Sequence, residues 1–98
     1  MAANRKLTPL LSGRTIQSVS QEENQIQIAF TDGSTLRIKT GLPAPEIGFS
    51  GRRIQKVRQT QALMNLDFED GSTAGIQMAE AMSSVMLRDG QGVLEYAD

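Results

Sequence analysis

The densest run of chemically active side chains is Arg52-Arg53-Ile54-Gln55-Lys56-Val57-Arg58, four cations in seven residues. Along an extended segment such a run can track phosphates or hold an anion. Arg14, Arg37 and Lys39 extend the set, so the candidate anion-binding residues are Arg14, Arg37, Lys39, Arg52, Arg53, Lys56 and Arg58. A second candidate is a carboxylate pair. Asp32 and Asp70 occur in the same local context, and two carboxylates brought together could divide acid and base roles.

Each candidate has a plainer use. A sheet surface that binds nucleic acid normally adds stacking aromatics. Here Phe30, Phe49, Phe68 and Tyr96 are all there are, and Phe30 and Phe68 fall on apolar faces. Asp-Gly is a common turn dipeptide, so Asp32-Gly33 and Asp70-Gly71 are first of all structural turn residues. The chain has no His and no Cys, which removes the usual general base, thiolate ligands and disulfides. Neither Gly-x-Ser-x-Gly nor Ser-x-x-Lys occurs, nor a calcium loop or a phosphate-binding glycine loop. The expectation is a non-catalytic protein without cofactor or metal.

The net charge of −1 gives no overall drive toward nucleic acid or anionic lipid. The distribution is uneven. Residues 1–58 hold nine Lys and Arg against four Asp and Glu, and residues 59–98 hold one Arg against seven acids. No apolar run approaches the roughly 20 residues of a membrane span, and no secretory signal is visible, so a cytoplasmic location is expected.

An internal repeat organises the chain. A shift of 38 residues aligns 11–40 with 49–78 without a gap, and 13 of the 30 positions are identical. They include Ser-Gly-Arg, Ile-Gln-x-Val and Asp-Gly-Ser-Thr. Each copy reads as a three-stranded meander. Ile26, Ile28 and Phe30 alternate with polar or small residues, as do Met64, Leu66 and Phe68. Period two with one apolar face marks a half-buried strand.

Turn chemistry sets the register. A two-residue loop would place Ile28 opposite Arg37. A three-residue loop, Thr31-Asp32-Gly33, places Ile28 opposite Leu36 and Ile26 opposite Ile38, which keeps one face apolar. That loop requires Gly33 and Gly71 in the left-handed region. Ile16 and Val19 are three apart, as are Ile54 and Val57, so a bulge near Gln17-Ser18 and Gln55-Lys56 is expected. With that bulge, Arg14 falls near Asp32 and Arg52 near Asp70, and the basic run becomes the cross-strand partner of Asp67, Glu69 and Asp70.

The chain is thus expected to be one all-β domain spanning 1–98. It would consist of a duplicated three-stranded antiparallel meander, a Pro-containing connector at 41–48 and a C-terminal β-hairpin at 84–97, forming a small barrel or a two-sheet sandwich. Thr8-Pro9-Leu10-Leu11 reads as a helical turn capped by Thr8, and the C-terminal hairpin as bringing Leu87 and Leu94 together with Tyr96 at the rim. Open sheet edges must be paired or blunted, which points to a protein-binding or self-assembly module, with a homodimer as one form of it. The alternative is a nucleic-acid or anion binder using the basic strand 52–58.

Overall fold

The computed structural model describes residues 2–3, 6–22, 24–40, 50–79 and 85–97. Its elements are β1 (Ala2–Ala3), α1 (Leu7–Leu11), β2 (Ile16–Glu22), β3 (Gln25–Phe30), β4 (Thr35–Lys39), β5 (Ile54–Thr60), β6 (Leu63–Phe68), β7 (Thr73–Gln77), β8 (Val85–Arg88) and β9 (Leu94–Ala97). The copies are β2-β3-β4 and β5-β6-β7. One sheet has the order β1-β5-β6-β7, the other β2-β3-β4-β8-β9. All pairings are antiparallel. The all-β duplicated architecture holds, and the two sheets do not close into a barrel.

The register follows the apolar pattern. Ile28 faces Leu36 and Ile26 faces Ile38, with Met64 facing Ile76 and Leu66 facing Ala74 in the second copy. Phe30 N–H donates to the Ser34 carbonyl, and Phe68 N–H to that of Ser72, both at 2.9 Å. Gly33 and Gly71 sit at φ 89° and 90°, as the three-residue loop demands. The bulges lie between Ile16 and Ser18 and between Ile54 and Lys56, returning both Ile and Val to the interior side. Eighteen apolar residues from both sheets and α1 form one buried core, including Ile16, Phe30, Ile54 and Phe68.

The sheets are stitched at two isolated bridges, Thr15 with Arg53 and Thr40 with Met78. In each bridge a position meets its own copy. An antiparallel pair of equivalent residues has a two-fold axis between them, and the surrounding bonds come in matching sets. Ile16 N–H donates to the Arg52 carbonyl at 2.9 Å, and Ile54 N–H to that of Arg14 at 3.0 Å. Gly13 N–H reaches Ile54 at 2.8 Å, and Gly51 N–H reaches Ile16 at 2.7 Å.

Two local expectations need correction. Thr8 does not cap α1. Lys6 holds that position, and the Thr8 hydroxyl instead donates to the Val57 carbonyl at 3.1 Å and accepts the Val57 N–H at 3.0 Å. It satisfies both backbone groups that Val57 exposes at the edge of β5, which outweighs capping a five-residue helix. In the C-terminal hairpin, a register shift puts Tyr96 opposite Leu87 and packs it on the core, while Leu94 falls opposite Arg88 and is exposed. The pairing of Ala2–Ala3 with β5 had no sequence signal. The connector at 41–48 and residues 80–84, which precede the rest of the hairpin, fall outside the described residues.

Candidate functional site

Most of the basic residues are engaged by carboxylates. Arg58 makes a two-pronged contact with Asp67 at 2.6 and 2.8 Å, and Thr73 donates to the same carboxylate at 2.8 Å. These bonds, Arg58's above all, hold the Asp67 carboxyl below its usual range. Lys56 lies opposite Asp67 in the ladder and adds to the positive field there. Arg53 pairs with Glu69 at 3.3 Å and donates to the Gly13 carbonyl at 3.0 Å. Arg52 lies 3.7 Å from Asp70 and 5.8 Å above the Phe68 ring, and Arg14 lies 3.7 Å from Asp32. The run 52–58 is thus largely a set of cross-strand partners.

Asp32 and Asp70 sit in separate exposed hairpin turns. Each accepts the side-chain hydroxyl and the backbone N–H of the serine two residues on. Those bonds, led by the serine hydroxyl, lower both carboxyls from their ordinary range. Their occupation is local turn closure, and the two do not converge in a shared cleft. Among the described residues no group of three or more potential ligands could hold a metal ion.

Arg37 and Lys39 project from β4 on the exposed face. A concavity of about 250 Å³ there is lined by Gln27, Thr35, Arg37, Met86, Arg88 and the Gly33 and Asp89–Gly92 turns. Arg37 donates to the Gln27 side chain at 3.3 Å, and Arg88 to the Gly92 carbonyl at 2.9 Å. Neither arginine has a carboxylate within ion-pair distance among the described residues. Arg88 was missed from sequence because it stands alone between strand and turn. Only the β4–β8 pairing brings it beside Arg37.

The two copies differ most at their outer edges. In the ladder, Phe30 bonds Ser34 and Thr40 N–H bonds the Asn24 carbonyl, so Thr35, Arg37 and Lys39 turn their backbone groups away from β3. β8 pairs along that edge, and Ala79 N–H donates to Lys39 at 2.9 Å. The β8–β9 hairpin is further held by Arg14, which reaches Glu95 at 2.8 Å. Its turn packs so closely that a Cβ on Gly33 would lie 3.4 Å from the Gly90 Cα.

The matching edge of β7 differs. The same ladder logic turns the backbone groups of Thr73, Gly75 and Gln77 outward. No strand pairs with them among the described residues. Arg52 has no counterpart of Glu95 among the described ion pairs, and a Cβ on Gly71 would meet nothing within 4 Å. Among the described residues, then, one of two equivalent edges carries a hairpin.

Comparison with known proteins finds no matching family model, curated relative or solved structure.

Proposed function

We propose that this protein is a non-catalytic binding module that takes up an extended strand of another protein chain, self-association included. The observation that carries this reading is the β7 edge, the counterpart of an edge that receives a strand within the chain. Strand addition uses main-chain hydrogen bonds for affinity and alternate side chains for selectivity. Thr73-Ala74-Gly75-Ile76-Gln77 has no charge, no proline and no bulge, the usual guards of a free edge. The test is light scattering on the eluting chain across micromolar concentrations. A mass above the monomer that falls on Thr73→Lys/Gln77→Lys substitution supports the reading. A strictly monomeric mass at high micromolar concentration removes self-assembly.

A second reading is supported by the concavity that holds Arg37 and Arg88. Two guanidinium groups without an ion pair among the described residues, with Gln27 and Thr35 beside them, suit an oxyanion, and the Asp89 carboxylate on the same lining is turned to the Gln91 and Val93 N–H groups. It predicts retention on heparin at low salt that is lost steeply as salt rises and is weakened by Arg37→Gln/Arg88→Gln. No retention at low salt disposes of it.

A further inference from the structure

We infer that Asp89-Gly90 is a site of spontaneous backbone modification, where the β8–β9 turn converts through a cyclic imide to an isoaspartyl linkage, and that the fold shields the other two Asp-Gly pairs from the same reaction.

The chain has three Asp-Gly pairs, at 32–33, 70–71 and 89–90, and no Asn-Gly. Glycine puts no side chain beside the attacking nitrogen, so sequence alone makes the three alike. The fold separates them. Each hairpin has a three-residue loop that ends in a positive-φ glycine. The N–H of that glycine closes the turn, Gly33 onto Phe30 at 3.0 Å, Gly71 onto Phe68 at 3.1 Å and Gly92 onto Asp89 at 3.0 Å. Asp32 and Asp70 are therefore the middle residues of their loops, while Asp89 precedes its loop.

That offset decides the chemistry. The Gly90 nitrogen attacks the side-chain carboxyl carbon of Asp89. An N–C bond forms, the carboxyl C–OH bond breaks, and the hydroxyl leaves with the amide proton as water. Water then opens the ring at the former main-chain carbonyl. That carbonyl becomes a free carboxylate, and the side chain becomes part of the main chain. One water is lost and one is gained, with no other reactant.

Ring closure needs an extended aspartate backbone and a disengaged amide. Asp89 pairs its N–H with the Val93 carbonyl at 2.9 Å and keeps the strand conformation, whereas the central residues of a type I turn lie in the helical region. Its carboxylate already folds over the turn, accepting the Gln91 and Val93 N–H groups at 2.9 Å each. The Gly90 N–H makes no hydrogen bond among the described residues, while those of Gly33 and Gly71 are the turn-closing donors. The serine bonds that hold the Asp32 and Asp70 carboxyls below their ordinary range oppose reaction there further, because a carboxylate has no hydroxyl to expel. Gly90 is exposed, so water reaches the ring. It also lies against the Gly33 turn, where a Cβ on Gly90 would come within 3.3 Å of the Asp32 carbonyl oxygen. An extra main-chain atom displaces this contact and the wall of the concavity beside Arg88.

The test holds the unmodified chain for weeks in warm, mildly acidic buffer, beside a sample kept unfolded in guanidinium chloride. Peptide mapping with electron-transfer fragmentation reads isoaspartate at each of the three positions, and labelling by an isoaspartate-specific carboxyl methyltransferase reads the total. In the folded chain Asp89 is expected to convert at least about tenfold faster than Asp32 or Asp70, where reaction waits for the turn to open. In the unfolded sample the three rates should converge. Conversion at Asp32 or Asp70 as fast as at Asp89 in the folded chain overturns the inference, as does an Asp89 that stays intact while the unfolded sample reacts. A preference for Asp89 that persists unchanged on unfolding overturns it too, because local sequence and not the fold would then be its cause.

Discussion

Thr15 and Arg53 hold the same place in their respective repeats, and they pair with each other across a single antiparallel bridge. A residue that pairs with its own copy is the mark of a two-fold interface. Here that interface lies within one chain. Ile16, Phe30, Ile54 and Phe68 pack in one core rather than in two. The repeats are therefore two halves of one folding unit, since neither half encloses its apolar face alone.

The β8–β9 hairpin makes the two turn glycines unequal. Both have positive φ, so alanine at either strains the backbone by roughly 1–2 kcal/mol. At Gly33 the new Cβ would also crowd the Gly90 Cα, while at Gly71 it enters open space. Gly33→Ala is expected to lower the midpoint of chemical denaturation more than Gly71→Ala. Equal shifts would show that the hairpin does not bear on the Gly33 turn.

Thr8 offers a second stability test. Its hydroxyl satisfies both edge groups of Val57, and Val57 itself is fully buried. Thr8→Val keeps the shape and removes the hydrogen bonds, leaving an N–H and a carbonyl unpaired. The expected cost is about 1–3 kcal/mol, measured by urea denaturation. Thr8→Ser retains the hydroxyl and should recover most of it.

Acid should loosen the fold through three carboxylates. Asp32, Asp67 and Asp70 all have lowered pKa values in the folded chain, against an ordinary 3.8. A lowered folded pKa contributes stability above the unfolded value and loses it as pH falls through the folded one. The melting temperature should therefore be level well above pH 4 and drop below it. Asp67→Asn removes the Arg58 ion pair, lowers the melting temperature at pH 7 by roughly 5 °C or more, and makes the acid slope shallower. An unchanged slope in that variant would show that Asp67 is not a principal source of it.

The repeat made much of the fold legible in sequence. Asp-Gly at the same offset, with Ile, Val and Phe in step, restricts each copy to one register. The apolar face is lost in any other, so the bulges and the Arg14–Asp32 and Arg52–Asp70 contacts followed. The errors fell where the copies differ. Thr8 works through a backbone 49 residues away, which no local pattern announces. Tyr96 took the core position assigned to Leu94 because a shift near Arg88 reverses the faces of β9. Arg88 joins Arg37 only through the β4–β8 ladder, and sequence spacing carries no trace of that pairing. The seat of the hairpin was invisible for the same reason, because a repeat cannot reveal which of its copies receives it.

The β8–β9 hairpin also bears on how the chain reaches its native state. β8 is closer in sequence to β7 than to β4, so contact order favours zipping it onto the nearer strand. The native arrangement rejects that local option and sends it to the more distant half, where Leu87 meets Leu36 instead of the smaller Ala74. Duplication has thus left the polypeptide with a rival docking geometry of its own, one that side-chain volume must defeat each time the molecule folds.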